Sequence, residues 1–475
     1  MPINSFLYPA KHVAVAYEVA NSLRFNSGSS DNLLRSPSSS GNRQIFTFSA
    51  WIKRSAISSS TTYAIAYFGA TSTTSGTTVI RLVNDALQVY IRDGSSNKLL
   101  TTNRLFRDLS AWMHIVVAID TTQGTDTNRV KLYVSGVQET SFSSSQYPTQ
   151  NLNSNVNTSG QNNRFGVYAT SGGSLQSYYD GYMAECVLID GQQLDPTSFG
   201  EFDEDSGIWK PIDVSGLTFG TNGFYLDFED SSALGNDAAG SNNFTVNNLT
   251  AIDQSTDTCT NNFATMNPLH SGAVTFAEGN LQVSRSGSGQ SWLNSLSTFA
   301  PTSGKWYVEI KVNSVGSNGL NMGFANFDLS NLQNVTTGPG EDATSAGLYS
   351  NGGPIFYASG TTFATVGSPS GIMQLAMDLD NGFLYWGKNG TWLNSANPES
   401  GATGTGGLAL SNLSTGGSYG IALAARNGGD VSFNFGSPPF SISSGNTDGN
   451  DYGNFEYAVP SGYYALNTKN LAEYG

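Results

Sequence analysis

Apolar and polar side chains alternate at every second position over several short stretches of the chain. The clearest of these stretches are Ile45–Ile52, Leu87–Arg92, Val130–Val134, Lys305–Val312 and Val431–Phe435. A period of two places successive side chains on opposite faces of an extended backbone, which predicts β-strands with one face on a core. Clusters rich in Gly, Ser, Thr and Asn separate the stretches, as turns between antiparallel strands do. The pattern predicts an all-β protein with two antiparallel β-sandwich (jelly-roll) domains.

The alternation also assigns a face to each side chain. In the first stretch one face carries Phe46, Phe48, Ala50 and Ile52, and the other carries Thr47, Ser49 and Trp51. In Lys305–Val312 the apolar face carries Trp306, Val308, Ile310 and Val312, and the other carries Tyr307, Glu309 and Lys311. We expect the apolar faces to lie in a core and the remaining side chains to point outward.

A hairpin signal stands in the second half of the chain. The stretch Phe383–Trp386 is followed by Asn389-Gly390 and then by Thr391-Trp392. Both central residues of a type I′ turn need positive φ, which Asn and Gly tolerate, so this dipeptide predicts a tight β-hairpin.

Composition divides the chain into five segments. Residues 21–212 and 263–445 each hold their own set of alternating stretches and are predicted to be separate sandwiches. Between them, residues 213–262 are acidic but rich in aromatic side chains, which indicates a packed connector. Residues 1–20 are predicted to be an N-terminal assembly arm, and residues 446–475 a C-terminal tail rich in Asn, Asp, Gly and Tyr.

Charge and cysteine content exclude several classes of function. The 475 residues include 21 Lys and Arg against 36 Asp and Glu, a net charge of −15, so nucleic acid is not an expected partner. The two cysteines, Cys186 and Cys259, cannot make a disulfide framework or a Cys-based zinc site. Apolar runs such as Ile115–Ile119 are too short to insert in a membrane. Because the N-terminus lacks the pattern of a secretion signal, we expect a chain that is made in a cytoplasm and stays soluble.

Several segments of the first half resemble a laminin-G-like, concanavalin-A-type jelly roll. They are FTFSAWIKRS (46–55), WMHIVVAIDTT (112–122), VKLYVSGV (130–137) and YDGYMAECVLIDGQQLDP (179–196). The resemblance covers roughly residues 20–200 and implies a sandwich of the kind found in lectins.

The second half is similar to a SPRY-type sandwich. The matching segments are SGKWYVEIKV (303–312), MGFAN (322–326), MDLDNGFLYWGKNGTW (377–392), YGIALAA (419–425) and DVSFNFGSPPF (430–440). The chain departs from that pattern in the Gly/Ser/Thr-rich insertion around residues 401–407, which leaves the geometry of the binding loops open.

Two further segments resemble stretches that recur in virion proteins of tailed marine phages. They are residues 219–269 and 460–471, and in those proteins they accompany the same pairing of laminin-G-like and SPRY-like sandwiches. The resemblance implies a virion protein, made in the host cytoplasm, that serves as a tail fibre, head fibre or capsid decoration. Its expected partners are other virion proteins and a host-surface glycan.

A glycan site needs exposed aromatic rings beside amide and hydroxyl groups. The aromatic side chains that lie near predicted turns or strand ends are the candidates for ligand binding. They are Tyr178, Tyr179, Tyr349, Tyr357, Trp386 and Trp392.

No cofactor is expected, with calcium as the one candidate. Asp227, Glu229 and Asp230 surround Phe228, and an extended backbone would place Asp227 and Glu229 on one face. Carboxylate oxygens on one face suit Ca²⁺, although an acidic surface explains the same residues.

The sequence predicts a protein without catalytic residues. The alternative is a glycan depolymerase, whose β-glucanase signature places two carboxylates on one face of a strand. The nearest match, residues 201–205, has a charged fourth position where the signature has an apolar one. The three histidines, His12, His114 and His270, show no metal-ligand spacing and no nucleophile pairing.

Residues 1–20 carry many apolar side chains for so short a segment. They include Phe6, Leu7, Tyr8, Val13, Val15 and Tyr17. A short arm cannot bury these groups on itself, so we expect a homo-oligomer, a trimer, joined through the arm. The alternative is that the arm folds back over its own sandwich and covers an edge.

Overall fold

The computed structural model describes residues 17–271, 274–287, 289, 291–328, 337–413 and 417–475. The strands of the first half are β1 (Ser22–Phe25), β2 (Asn32–Arg35), β3 (Ile45–Arg54), β4 (Thr62–Phe68), β5 (Thr78–Val83), β6 (Ala86–Asp93), β7 (Ser96–Leu105), β8 (Trp112–Asp120), β9 (Val130–Val134), β10 (Val137–Gln138), β11 (Phe142–Ser145), β12 (Asn163–Phe165), β13 (Tyr168–Ala169), β14 (Leu175–Gln176), β15 (Gly181–Asp190), β16 (Gly200–Phe202), β17 (Trp209–Pro211), β18 (Phe224–Leu226), β19 (Thr245–Asn247) and β20 (Gln254–Ser255).

The strands of the second half follow in the same order along the chain. They are β21 (Met266–Ser271), β22 (Thr275–Ala277), β23 (Gln282–Ser284), β24 (Leu293–Ser297), β25 (Lys305–Val315), β26 (Leu320–Asn326), β27 (Ser345–Tyr349), β28 (Pro354–Tyr357), β29 (Thr361–Thr365), β30 (Ile372–Asp378), β31 (Phe383–Lys388), β32 (Thr391–Trp392), β33 (Leu408–Ala409), β34 (Tyr419–Ala425), β35 (Gly429–Asn434) and β36 (Tyr464–Ala465).

Helical structure in the described residues is limited to short pieces. One α-helix, α1, spans Thr468–Tyr474, and 3-10 turns lie at Asp126–Asn128, Pro196–Ser198, Ala251–Asp253, Leu393–Ser395, Pro398–Thr403 and Leu410–Asn412. The all-β prediction is confirmed. Within these residues, no helix has both the length and the apolar character that a bilayer crossing requires.

Two eight-stranded antiparallel sheets form the first sandwich. One sheet has the order β10-β9-β8-β3-β15-β1-β20, with β18 also paired to β15, and the other has the order β11-β7-β6-β5-β4-β12-β2-β19. The core between them contains the apolar side chains that the alternation assigns to it, including Phe46, Phe48 and Ile52 of β3 and Leu87 and Val89 of β6.

Residues 213–262, which composition separates as a connector, contribute to this same sandwich. β18 and β20 join one sheet, and β19 joins the other. The side chains that this segment places in the first core are Phe224, Leu226, Phe228, Leu234, Phe244 and Leu249. The exposed acidic residues Glu229 and Asp230 lie between such buried positions, so a domain boundary at residue 212 would cut through one core.

The second sandwich pairs a seven-stranded sheet with a nine-stranded sheet. The first has the order β21-β24-β34-β26-β27-β28-β29. The second has the order β22-β23-β35-β25-β30-β31-β32, with β33 paired to β31 and β36 paired to β25. Trp306, Val308 and Ile310 of β25 lie in the core between the two sheets, as the alternation predicts.

Residues 446–475, which composition separates as a tail, pack across the outer face of the nine-stranded sheet. β36 pairs with β25 in parallel. Phe455 and Tyr463 are buried together with Tyr307, a side chain that the alternation places on the outward face. Glu309 on the same face is fully buried. The expectation that this face points to solvent is therefore wrong for Tyr307 and Glu309, because the C-terminal segment covers them, while Lys311 is exposed as expected.

The outer face of β3 is covered in a similar way. Thr47, Ser49 and Trp51 are buried, although the alternation places them outward. The ring of Trp51 stacks on that of His114 with a centroid separation of 4.9 Å. Trp209, from the hairpin β16–β17, donates to His114 Nδ1 at 3.1 Å and covers the ring. Both sandwiches thus carry a third layer outside their sheets.

The described part of the N-terminal arm belongs to this layer. Residues 1–16 lie outside the described residues. Tyr17 donates its hydroxyl to Glu185 Oε2 at 3.0 Å, and Val19 is buried against Trp51 and Trp209. These contacts agree with an arm that folds back on its own sandwich, and the role of residues 1–16 in assembly stays a prediction.

Candidate functional site

The turn between β31 and β32 shapes a groove on the outer face of the nine-stranded sheet. The two strands pair through Gly387 with Trp392 and through Lys388 with Thr391, which makes the hairpin that Asn389-Gly390 predicts. Asn389 has φ 47° and Gly390 has φ 80°, both in the left-handed region that a type I′ turn requires.

The groove has a volume of about 480 Å³, and two half-buried aromatic rings line it. Trp392 comes from the hairpin, and Tyr457 comes from the C-terminal segment. The other lining residues are Gln374, Gly390, Asn397, Pro398, Glu399, Ala458, Val459 and Pro460. Two aromatic rings beside two carboxamides and a carboxylate form the candidate functional site.

A buried carboxylate fixes the backbone that carries Tyr457. Glu309 of β25 accepts hydrogen bonds from the backbone N–H of Tyr457 at 2.8 Å and of Glu456 at 2.9 Å. It also accepts from the Tyr307 hydroxyl at 3.0 Å. Burial raises the pKa of Glu309, while these bonds lower it. The Glu309 carboxylate thus anchors the C-terminal segment to the sheet and sets the position of the Tyr457 ring.

The other side of the groove is equally fixed. The ring of Trp392 packs edge-on against Tyr307 with centroids 6.4 Å apart. Gln374, which is buried on β30, accepts from the backbone N–H of Gly390 at 2.8 Å and holds the turn. A Cβ atom on Gly390 would lie 2.9 Å from Cδ1 of Tyr457, so the absence of a side chain there lets the ring approach the turn.

The rim supplies exposed polar groups. Asn397 caps the 3-10 turn Pro398–Thr403 by accepting from the backbone N–H of Glu399 at 3.0 Å. Glu399 accepts from the backbone N–H of Ser461 at 2.7 Å. Both side chains are exposed; Asn397 retains an amide donor, and Glu399 retains carboxylate lone pairs that can accept. This rim can form hydrogen bonds to a ligand that is polar and uncharged, or to one that carries hydroxyl groups.

Two of the aromatic side chains expected to bind ligand are core residues instead. Tyr179 is fully buried and donates its hydroxyl to the Lys53 carbonyl oxygen at 3.1 Å. Trp386 is 2% exposed, packs edge-on against Phe324 and donates Nε1–H to the Met322 carbonyl oxygen. These expectations are corrected, because each ring lies on the core face of its strand region and cannot present a surface to a glycan.

The remaining candidates are half-buried and lie apart from the groove lining. Tyr349 accepts from Arg426 at 2.6 Å and packs edge-on against Trp292 with centroids 5.5 Å apart. Tyr357 packs against the second core. Tyr178 lies in the segment between β14 and β15 of the first sandwich. Of the six aromatic residues that the sequence proposed, the groove contains Trp392.

The acidic candidates are turn-forming residues in the structure. Asp227 accepts from the backbone N–H of Glu229 at 3.2 Å. Asp230 accepts from the N–H and the hydroxyl of Ser232, and these bonds lower its pKa. Among the residues that the structure describes, no three His, Cys, Asp or Glu side chains form a group that could hold a metal ion. A calcium site at these residues stays a prediction.

The carboxylates nearest to a hydrolase signature are engaged with a lysine. Lys210 lies 3.3 Å from Glu201 Oε1 and 3.1 Å from Asp203 Oδ2. Asp203 also accepts from the backbone N–H and the hydroxyl of Ser206, and these bonds together with Lys210 hold its pKa far below the usual range. All of these groups stabilise the turn of the hairpin β16–β17.

Sequence reasoning missed Tyr457, Gln374, Asn397 and Glu399 as lining residues. Only the Asn-Gly turn signalled that a ring next to it would be exposed. Tyr457 lies far along the chain in a segment without alternation, and its approach to Trp392 depends on how that segment crosses the sheet.

In the comparison with known proteins, one family model matches part of the chain. Residues 27–192 match the family model Laminin_G_3, described as the concanavalin A-like lectin/glucanases superfamily. This match covers most of the first sandwich and less than half of the chain. None of the curated proteins matches the chain significantly. A fold of this kind fits a carbohydrate- or protein-binding module.

Solved structures resemble portions of the chain at low sequence identity. The SPRY domain of human HERC1 has 13% identity and a TM-score of 0.28, and the match covers 35% of this chain and 96% of that one. A human SPRY domain has 12% identity and a TM-score of 0.27, over 36% and 99%. A heptameric SAP-like pentraxin from Limulus polyphemus has 16% identity and a TM-score of 0.28, over 38% and 80%. Likenesses of this size carry no conclusion about function.

Proposed function

We propose that the chain is a non-enzymatic structural protein of a phage particle, in a tail fibre, head fibre or capsid decoration. It binds a host-surface glycan through its β-sandwiches and contacts other virion proteins. The proposal places the protein in the virion after synthesis in the host cytoplasm, without nucleic acid as a partner and without membrane insertion. Its origin in a phage rests on the resemblance of residues 219–269 and 460–471.

The groove between Trp392 and Tyr457 is the observation that supports a glycan as the ligand. Aromatic rings offer flat apolar faces for the C–H faces of a sugar, while Asn397 and Glu399 offer partners for its hydroxyl groups. A volume of about 480 Å³ falls in the range of small-ligand sites. Because Tyr307, Gln374 and Glu309 hold both rings in place, little conformational entropy is lost on binding.

Binding without hydrolysis is supported by the state of the acidic candidates. Glu201 and Asp203 both form ion pairs with Lys210, and Asp203 also closes a turn, so both carboxylates are engaged within the hairpin β16–β17. A glycan depolymerase is the alternative function. A protein that releases reducing ends from the host polysaccharide in steady state would favour that alternative.

We also propose that the protein works as a homotrimer. The apolar side chains of residues 1–16 support this, since they exceed what a short segment buries alone. Repeated weak glycan sites on one particle would then bind with avidity.

The glycan proposal is tested by binding of the full chain to purified host polysaccharide. We expect Trp392→Ala and Tyr457→Ala each to weaken binding by about tenfold or more, because each removes a stacking face. Phe202→Ala is the matched control, since Phe202 is an exposed ring on the first sandwich, 50% exposed, and lies outside the groove. If all three variants bound the polysaccharide equally well, the groove would be rejected as the glycan site. If only Tyr178→Ala lost binding, the glycan site would lie on the first sandwich instead.

A further inference from the structure

A buried lysine lies where the first sandwich meets the segment that leads into the second. Lys53, near the end of β3, is 1% exposed. Its Nζ donates to Asp257 Oδ2 at 2.7 Å, to Asn262 Oδ1 at 2.6 Å and to the Phe263 carbonyl oxygen at 3.2 Å. A primary amine is thus held against a carboxylate and a carboxamide inside the protein.

Asp257 is fixed beside the amine by groups other than the lysine. It is 1% exposed, and its Oδ1 accepts from Trp112 Nε1–H at 3.0 Å. The ring centroid of Tyr182 lies 5.6 Å from Lys53 Nζ and forms an apolar wall. In such surroundings a carboxylate interacts more strongly with a proton donor than it does in water.

The Asn262 carboxamide is oriented with its carbonyl toward the amine. Its Nδ2 donates to the Ser110 carbonyl oxygen at 2.6 Å, which leaves Oδ1 facing Lys53. Because a C=O bond is about 1.2 Å long, Cγ lies within about 3.8 Å of Nζ. That separation is close to the contact distance from which intramolecular reactions proceed.

We propose that Lys53 and Asn262 form an intramolecular isopeptide bond without any added catalyst or co-reactant. Asp257 accepts a proton from the lysine ammonium, and the resulting amine attacks Asn262 Cγ. The C–N bond to Nδ2 then breaks as Asp257 returns the proton to the departing nitrogen. One amide is formed and one is broken. The lysine nitrogen gives up two protons in all, one to Nδ2 and one to the released ammonia, which leaves as ammonium.

Asn262 rather than Asp257 is the group attacked. An ionised carboxylate repels a nucleophile and has no good leaving group, whereas a carboxamide carbon is neutral. The amide nitrogen of Asn262 is already bonded at Ser110, on the side away from the lysine contact. Asn262 is also partly exposed, which gives ammonia a path to solvent.

A second lysine–aspartate pair serves as an internal comparison. Lys305 Nζ lies 3.1 Å from Asp378 Oδ2, and Asp378 is fully buried. The neighbouring Asn381 directs its Nδ2 at that same oxygen, at 2.8 Å, so its amide nitrogen rather than its carbonyl oxygen meets the carboxylate. We expect no bond between Lys305 and Asn381.

The test is the mass of the full-length protein after purification. We expect a mass about 17 Da below the value for the sequence, the loss of one ammonia. Digestion followed by tandem mass spectrometry should give a branched peptide that joins Lys53 to Asn262. The branched peptide is required because a succinimide at any asparagine loses the same mass.

Variants separate the chemistry from folding. Asn262→Ala and Asp257→Asn should each restore the mass for the unlinked chain, while Asn381→Ala should keep the loss. A wild-type protein at its full sequence mass would overturn the proposal, and this result needs no variant to fold. A branched peptide at Asp257 with loss of water, or one at another asparagine, would equally overturn it.

Discussion

His114 and Glu185 are buried ionisable side chains on the outer face of one sheet, and both favour the neutral form. Burial lowers the pKa of His114 to about 3. Its Nδ1 accepts from Trp209 Nε1–H, a group that can only donate, so Nε2 carries the ring proton and faces Ser49 Oγ at 2.7 Å. Burial raises the pKa of Glu185 to about 7, although two tyrosine hydroxyls donate to it and lower the pKa.

Replacement of His114 by Gln should make the free energy of unfolding less sensitive to acid. Unfolded histidine has a pKa near 6.5, so between roughly pH 6.5 and 3 the unfolded state binds a proton that the folded state rejects. Wild-type stability therefore falls as the pH falls through that window, by up to about 1.4 kcal/mol per pH unit. Urea unfolding at pH 7 and pH 5 measures the difference.

Glu185→Gln is the control of opposite sign. The folded wild type keeps a proton on Glu185 between roughly pH 4.5 and 7, while the unfolded state releases it, so its stabilising effect is lost as the pH rises. We therefore expect the difference in the free energy of unfolding between Glu185→Gln and the wild type to shift in favour of the variant from pH 5 to pH 8. Equal pH dependence in His114→Gln and the wild type would contradict the assignment of His114.

At the scale of elements, the hairpin β31–β32 is constrained both by its own backbone and by the segment that crosses it. Gly390 has φ 80°, and its missing side chain makes room for the Tyr457 ring. Gly382, in the turn between β30 and β31, has φ 78° and open space where a Cβ would lie. The two glycines thus have the same left-handed backbone conformation, but only at Gly390 would a Cβ atom meet a neighbouring side chain.

Gly390→Ala should destabilise the protein more than Gly382→Ala does. Both variants place alanine at positive φ, which costs about 1 kcal/mol. Only Gly390→Ala adds a contact with Tyr457, so we expect about 1 kcal/mol of further loss, measured by chemical unfolding, together with weaker glycan binding. Equal losses would mean that the ring moves aside freely and that the turn does not set its position.

At the scale of the molecule, polar contacts join the two sandwiches. Tyr182 donates its hydroxyl to the Gly279 carbonyl oxygen at 3.0 Å. Ser255 and Ser437 are bonded at 2.6 Å. Arg24, which is fully buried, lies 3.5 Å from Asp253 and 3.4 Å from Glu278. Because these partners come from both halves of the chain, the hydrogen bonds and ion pairs between them favour one arrangement of the two sandwiches.

Fragments of the chain should fold according to the cores rather than according to composition. The fragment 1–262 contains every strand of the first two sheets, whereas 21–212 lacks β18 to β20 and six apolar side chains of the core. We expect a cooperative thermal transition, followed by circular dichroism, for 1–262 and none for 21–212. In the same way, 263–475 should be more stable than 263–445. Cooperative unfolding of 21–212 alone would show that residues 213–262 are dispensable.

The sequence by itself determined the fold class, the hairpin at Asn389-Gly390 and the face on which each strand residue lies. Phe48 and Trp306 are in cores for that reason, since a period of two fixes the side of the sheet. The tertiary structure alone decided what covers the other face. The alternation predicts that Thr47 and Glu309 point outward, and they do point away from the core of their own sandwich, but the third layer buries them.

That layer is built from residues 17–20, the hairpin β16–β17 and the C-terminal segment, all of which lack regular alternation. Local pattern carries no information about which distant segment a face will meet, because that choice depends on the packing of the whole chain. The approach of Tyr457 to Trp392 and of Asn262 to Lys53 depends on this packing. The residues that carry both proposals are therefore visible in the sequence as residue types, and only the folded chain brings them together.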